Sequence, residues 1–143
     1  MILIQCVDDA MGTSFGGKRQ SRDREVTKDI LKLASDSVLR TDVYTGKLLL
    51  ADKELFSEDT ISPENILVDD DCLEEADPGE YCFVELKDVS SCMDRVEEIV
   101  LYHWNRAYPS TEKFAMPDGY SLSVTEEFAG YSHEKITKEV YIR

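Results

Sequence analysis

The order of apolar and polar positions predicts alternating strands and helices from the start of the chain. Residues 1–8 are an almost unbroken apolar run, which is typical of a buried strand. The glycine-containing stretch 8–17 is expected to be a loop. Ser21 is the expected N-cap of a helix, because apolar residues recur at helical spacing from there to Leu33.

The rest of the chain carries further strand signals, and its end alternates like an antiparallel pair. The remaining predicted elements are a strand at 37–43, a helix at 47–56, strands at 65–68, 81–86 and 99–104, a short helix capped by Ser90 or Ser91, and a hairpin that pairs 122–128 with 136–142. This order predicts a single α/β domain over residues 1–143. Its sheet is expected to be mostly parallel, with an antiparallel C-terminal hairpin.

The net charge of the chain excludes some classes of binding partner. The chain has 143 residues and a net charge of −14, and a phosphate backbone attracts basic surfaces, so nucleic acid and anionic membranes are not expected partners. No apolar stretch is long enough for a transmembrane helix. The opening residues lack the basic region of a signal peptide, and a cytoplasmic location is therefore expected.

The charges are unevenly distributed. Residues 54–86 contain twelve acidic side chains and neither lysine nor arginine. This segment is expected to be a solvated face, with a surface for a basic protein partner as the alternative. The basic residues concentrate at 18–32, where they form either a solvated helix face or a clamp for a carboxylate or phosphate.

Cysteine and histidine spacing does not indicate a metal site. The four cysteines contain no C-x-x-C pair and are expected to be buried, reduced thiols. Only His103 and His133 are present, which excludes sites built on several clustered histidines. A Ser-His-Asp triad is not excluded, although no G-x-S-x-G context supports one.

Several segments occur in an order known from one enzyme family. They are the residues 7–12 (V-D-D-A-M-G), Asp23 with Lys28 five positions later, the strand at 96–104 ending in Tyr102-His103-Trp104, the Pro117-Asp118 turn, and the closing segment 132–143. Together they resemble the dihydrofolate reductase family, as a divergent and shortened member. The resemblance implies a three-layer α/β/α fold.

The resemblance also implies site residues. Asp23 corresponds to the family's catalytic carboxylate, which binds the edge of a pterin ring. Ile4, Cys6, Lys28 and Tyr102 are the expected substrate-binding residues. If NADPH binds, its contacts must come from residues other than the family's own, and the candidates are Lys18, Arg19, Lys47, Lys87 and Ser90.

Departures from the family pattern change the expected function. The family's G-R-x-T phosphate motif is replaced by Thr41-Asp42-Val43-Tyr44, and its double glycine is replaced at 84–88 by residues that include Glu85 and Asp88. Negative charge at these places repels phosphate. The chain is therefore expected to lack standard NADPH binding and to bind a small heterocyclic ligand or a protein. The alternatives are an active NADPH-dependent reductase of dihydrofolate or a related pterin, and an acidic protein-interaction module. A homodimer is left open.

Overall fold

The computed structural model describes residues 1–143, and a seven-stranded sheet forms its centre. The strands are β1 (Ile2–Val7), β2 (Gly12–Phe15), β3 (Lys18–Arg19), β4 (Leu39–Thr41), β5 (Ile66–Val68), β6 (Tyr81–Phe83), β7 (Glu98–His103), β8 (Glu112–Lys113), β9 (Ser121–Phe128) and β10 (Ile136–Ile142). The helices are α1 (Arg24–Leu33), α2 (Val43–Leu50) and α3 (Cys72–Glu75), and three 3₁₀ turns lie at Lys53–Leu55, Pro63–Asn65 and Ser90–Arg95.

The central sheet has the order β5-β4-β6-β1-β7-β10-β9. The first five of these strands pair in parallel, and β10 runs antiparallel to both β7 and β9. A second sheet of order β3-β2-β8 lies beside it. The predicted α/β class, the mostly parallel sheet and the antiparallel C-terminal hairpin are therefore confirmed.

Two apolar clusters cover the two faces of the central sheet. One cluster joins β1 to α1 and α2 through buried side chains such as Ile4, Ile30 and Leu49. The other joins β1 to α3 and the Ser90–Arg95 turn through Leu3 and Cys92. Alternate β1 residues thus enter opposite cores, and the result is a three-layer arrangement.

The predicted loop at 8–17 is wrong over part of its length, because a hairpin forms there. Gly16 and Gly17 have φ values of 58° and 76°, which suit a two-residue turn between β2 and β3. β2 also pairs with β8, about a hundred residues later in the chain. That distant pairing leaves no local signal in the sequence.

The beginning of α1 also differs from the prediction. Asp23, and not Ser21, is the N-cap, because the Asp23 side chain accepts a hydrogen bond from the Glu25 backbone N–H at 2.8 Å. The Ser21 hydroxyl instead contacts His133 and Tyr108. A tertiary interaction has therefore displaced the expected local one.

Three other boundaries shift for local reasons. α2 begins at Val43 because Asp42 caps it, and the predicted helix at 47–56 covers only its second half. β6 ends at Phe83, earlier than predicted. The carbonyl of the next residue, Val84, accepts a hydrogen bond from the Gln5 side chain and not from the backbone of a neighbouring strand. The segment after it is a 3₁₀ turn whose N-cap, Val89, offers no side-chain hydrogen bond.

The edge strand β9 is exposed along almost its whole length. Leu122 and Val124 are 52% and 43% exposed, and Glu126 and Glu127 lie further along the same strand. None of the helices has the length and apolar character needed to cross a lipid bilayer.

We predict that the core between the sheet and α1 dominates stability. Leu31→Ala removes a side chain that is fully buried, so it should lower the free energy of unfolding by about 2–5 kcal/mol. Leu122→Ala is the matched control on exposed β9 and should change it by less than about 0.5 kcal/mol. Urea denaturation followed by circular dichroism measures both, and equal losses would contradict this assignment of the core.

Candidate functional site

A groove opens beside the carboxyl ends of the parallel strands, where ligands bind in many open α/β sheets. Its volume is about 610 Å³. The segment that follows β6, the β2–β3 hairpin and the stretch around β8 form its walls. The lining residues include Gln5, Ser14, Lys87, Ser90, Met93, Lys113, Phe114 and Met116.

The groove combines apolar walls with charges of both signs. Met93 and Phe114 contribute apolar surface. The same walls carry two positive side chains, Lys87 and Lys113, and two negative ones, Asp88 and Glu112. Neither lysine makes an ion pair. The side chains of Leu86, Lys87 and Asp88 therefore line this groove and leave it open.

The N-terminus of α2 is occupied by carboxylates of the chain itself. The Asp42 side chain accepts the Thr45 N–H at 2.8 Å, and the Asp70 side chain accepts the Val43 N–H at 3.1 Å. Free N–H groups at a helix start are the groups that bind phosphate. Here negative side chains satisfy two of these groups, those of Val43 and Thr45.

Arg19 ties the β2–β3 hairpin to the end of the central sheet. Its guanidinium donates to both carboxylate oxygens of Glu85, at 2.8 and 2.9 Å, and lies 4.5 Å from the Tyr44 ring centroid. The hydrogen bond to Glu85 raises the pKa of Arg19 above its usual value. The Glu85 N–H in turn donates to Thr45 Oγ1 at 3.2 Å, so this arginine is already engaged within the protein.

The Asp23 carboxylate is buried and surrounded by donors. It accepts backbone N–H groups from Tyr131, Ser132 and His133 at 2.8, 2.9 and 3.1 Å, besides that of Glu25. Burial raises the pKa of Asp23, but these donors and the His133 side chain outweigh burial and lower it to about 2. Asp23 therefore joins the start of α1 to the segment before β10.

Asp23 lines two cavities: an open depression of about 350 Å³ that it shares with Thr27 and Leu48, and a space toward the central sheet that side chains fill. The cavity bounded by Cys6, Val26, Phe83 and Trp104 has a volume of about 10 Å³, roughly the space that one water molecule needs. Trp104 is only 4% exposed. An aromatic heterocycle cannot enter this space unless these side chains move.

Tyr102 takes part in a buried polar cluster. Its hydroxyl donates to Asp29 Oδ2 at 2.6 Å, and Lys138 Nζ lies 2.9 Å from the same oxygen. Burial, followed by the charge of Asp29, raises the pKa of Tyr102 well above its usual value. This arrangement keeps the hydroxyl protonated, and it links β7 and β10 to α1.

The other expected substrate residues, Ile4, Cys6 and Lys28, differ in how far they are buried and do not line one cavity. Ile4 is fully buried in the core, and Cys6 pairs in register with Tyr102 on the neighbouring strand. Burial raises the pKa of the Cys6 thiol well above its usual value, and the charge of Glu85 adds to that effect. Lys28 is half-buried on α1 and makes neither an ion pair nor a side-chain hydrogen bond.

Of the expected cofactor residues, only Lys87 and Ser90 lie together in the groove. Ser90 lines the groove, and its N–H donates to Asp88 Oδ1 at 2.9 Å. Lys18 and Arg19 line a different depression near Tyr44. Lys47 is exposed on α2 and borders neither.

Sequence reasoning missed the partners that organise this region. Asp29 and Tyr108 gave no signal, since a single polar residue on a helix or in a loop is ordinary. His133 was visible, but its contact with Asp23 spans 110 positions. Only the folded chain brings such groups into one network.

The fold places the chain among proteins with a dihydrofolate reductase-like fold. A solved dihydrofolate reductase from Enterococcus faecalis, complexed with NADP(H) and RAB-propyl, matches with a TM-score of 0.65 over 99% of this chain and 95% of that chain. The two sequences are 12% identical, so the likeness is one of fold. No protein-family model matches the chain, and no curated protein sequence matches it either.

We predict that Asp23 acts on stability through its charge. Asp23→Asn should lower the free energy of unfolding at neutral pH by roughly 1.5–3 kcal/mol, because charged hydrogen bonds are lost from a buried site. Its pKa of about 2 lies below the usual 3.8, so the stabilisation is present above 3.8 and disappears as the pH falls toward 2.

Urea denaturation at several pH values between neutral and 2 tests this. The difference in the free energy of unfolding between wild type and Asp23→Asn should become smaller as the pH falls from about 4 to 2. Asp36→Asn, on the exposed surface after α1, is the matched control and should show little difference. If that difference in free energy stayed constant at all pH values, Asp23 would not stabilise the protein through its charge.

Proposed function

We propose that this chain is a small-molecule-binding protein on a dihydrofolate reductase-like fold, and that it does not hold NADPH in the manner of the reductases. The observation that carries the proposal is the start of α2, where Asp42 and Asp70 accept the Thr45 and Val43 N–H groups. A phosphate there would compete with two carboxylates and be repelled by both.

The substrate side supports the same conclusion. Hydride transfer needs a cofactor held against its substrate. The interior beside Cys6 and Trp104 leaves only about 10 Å³, so a pterin would have to lie in the more open depression of about 350 Å³ that Asp23 also lines. The Asp23 carboxylate already accepts several hydrogen bonds from the protein, so it has little capacity left for a pterin edge.

The open groove is the proposed ligand site. Its volume of about 610 Å³ lies within the range of small-molecule sites. Met93 and Phe114 would contact a flat apolar body, while Lys87 or Lys113 would pair with an acidic group on it. A small aromatic anion is the class of ligand that fits these walls.

A specific observation favours the alternative, an active NADPH-dependent reductase of dihydrofolate or a related pterin. The groove is open beside residues 84–92, and Lys87 and Lys113 in it are free cations. The solved neighbour was complexed with NADP(H). In this alternative those lysines would replace the phosphate contacts that α2 lacks.

We predict that NADPH binds weakly at best. Calorimetric titration of the wild-type chain should give a dissociation constant weaker than about 1 mM. The double variant Asp42→Asn with Asp70→Asn keeps an oxygen at each cap but removes both negative charges. It should bind NADPH more tightly than wild type, by about tenfold.

The opposite results have distinct meanings. Micromolar NADPH binding by wild type, with loss of absorbance at 340 nm when dihydrofolate is added, would establish the reductase alternative. A thermal shift with dihydrofolate and none with NADPH would support our proposal. If neither ligand changed the melting temperature, the small-molecule proposal would be contradicted, and protein binding through the acidic surface of residues 54–86 would be favoured.

We also predict that the groove binds an aromatic sulfonate. The fluorescent probe 8-anilinonaphthalene-1-sulfonate should bind the native chain, because it combines apolar rings with one negative charge. Ala115→Trp, at the groove wall, should weaken this binding several-fold by occupying space. Ala107→Trp, at an exposed position away from the groove, is the matched control. Equal binding by both variants would exclude the groove as the site.

A further inference from the structure

Three polar side chains outside the groove are arranged like a hydrolytic triad. His133 Nδ1 lies 2.9 Å from Asp23 Oδ2, and His133 Nε2 lies 3.1 Å from Ser21 Oγ. We propose that Ser21 is a nucleophile with His133 as its general base and Asp23 as the group that orients the imidazole. The substrates would be small anionic esters.

Geometry fixes which nitrogen of His133 carries the proton. The ionised Asp23 carboxylate can only accept hydrogen bonds, so Nδ1 must donate to it. Nε2 then faces Ser21 and can accept its proton. Trp104 stacks on the imidazole with ring centroids 4.9 Å apart, and the His133 side chain is only 2% exposed. The ring is therefore held in one orientation.

Tyr108 shares the same nitrogen. Its hydroxyl lies 2.8 Å from His133 Nε2 and accepts a hydrogen bond from Ser21 Oγ at 3.1 Å. Because one lone pair accepts one strong hydrogen bond, the two hydroxyls compete for it. Tyr108 therefore restrains Ser21, and removing its hydroxyl should leave the serine as the sole donor to Nε2.

Ser21 is accessible from a basic depression. The depression has a volume of about 340 Å³ and is lined by Ser21 together with Lys18, Arg19, Arg22 and Tyr44. Lys18 and Arg22 are exposed and make no ion pair, in a chain whose net charge is −14. Free cations beside the nucleophile would attract an ester that carries a carboxylate or phosphate.

The proposed reaction needs only water as co-reactant. Ser21 Oγ bonds to the ester carbonyl carbon while its proton passes to His133 Nε2. The carbon–oxygen bond to the alcohol then breaks, and His133 returns the proton to the departing oxygen. Water repeats both steps on the acyl-serine, which releases the acid and restores Ser21.

The first experiment is covalent labelling of the intact chain with a fluorophosphonate, followed by peptide mass spectrometry. One adduct on Ser21 is expected. Ser21→Ala should abolish it, whereas Ser62→Ala, at an exposed serine in another part of the fold, should label like wild type. Failure of wild type to form an adduct in excess probe would overturn the proposal, as would an adduct elsewhere.

Two variants separate a triad from an ordinary reactive hydroxyl. His133→Asn keeps a side-chain donor for Asp23 but lacks Nε2, so labelling should be about 100-fold slower. Tyr108→Phe keeps the ring and removes the competing hydroxyl, so labelling should be faster than in wild type. Unchanged rates in both variants, with folding verified by circular dichroism, would overturn the triad.

Asp23 is a positioning residue and needs a different readout. Nitrogen-15 NMR of the His133 ring should report a protonated Nδ1 and an unprotonated Nε2 in wild type. Asp23→Asn should shift the proton toward Nε2, because an amide can donate to Nδ1. The Nε2-protonated form in wild type would contradict the proposed role of His133.

Hydrolysis completes the test. The half-ester of succinate with 4-nitrophenol carries a negative charge, and 4-nitrophenyl acetate does not. Wild type should hydrolyse the charged ester faster, and Arg22→Gln should reduce that preference several-fold. Equal rates for both esters in wild type would contradict the role of the depression. None of its lining residues borders the groove, so these outcomes are separate from those of NADPH or sulfonate binding.

Discussion

The buried carboxylate of Asp23 is the interaction on which this end of the molecule depends. It caps α1, receives three consecutive N–H groups from residues 131–133, and contacts the imidazole of His133. Gly130 lies against it so closely that an added Cβ would stand 2.8 Å from Asp23 Oδ2. The first helix and the approach to the last strand are thus joined through one side chain. A negative charge in the interior is tolerated because directed donors replace its hydration.

The periodic elements of the fold could be predicted from the sequence, and the long-range contacts could not. The apolar run of β1 and the alternation of β9 and β10 each carry their own local pattern. The β2–β3 hairpin has short strands without such alternation, and its pairing with β8 is long-range. Ser21 looked like a helix cap by residue type, yet its hydroxyl faces His133 more than a hundred positions away. Local propensity is a weak guide wherever a tertiary hydrogen bond competes with it.

Part of the site could be anticipated in the same way. Asp42 and Glu85 were identifiable as charges in places where phosphate binds in the resembling family, and both are committed to contacts within the protein. The filling of the interior by Trp104 was not foreseen, because a tryptophan at the end of a strand is ordinary in sequence. Nor was the open groove, since its walls come from three distant segments. Volume is a property of packing, and it is not encoded at any single position.

The carboxylates at the start of α2 have a consequence for redesigning this end of the protein. Asp42 and Asp70 come from different segments and each satisfies a different amide. Replacing one leaves the other in place, and losing Asp42 also removes a cap that the helix uses. Opening this helix start to another anion would therefore require both carboxylates to be replaced and another cap to be supplied. Access to these amides and the stability of the helix are thus in direct competition.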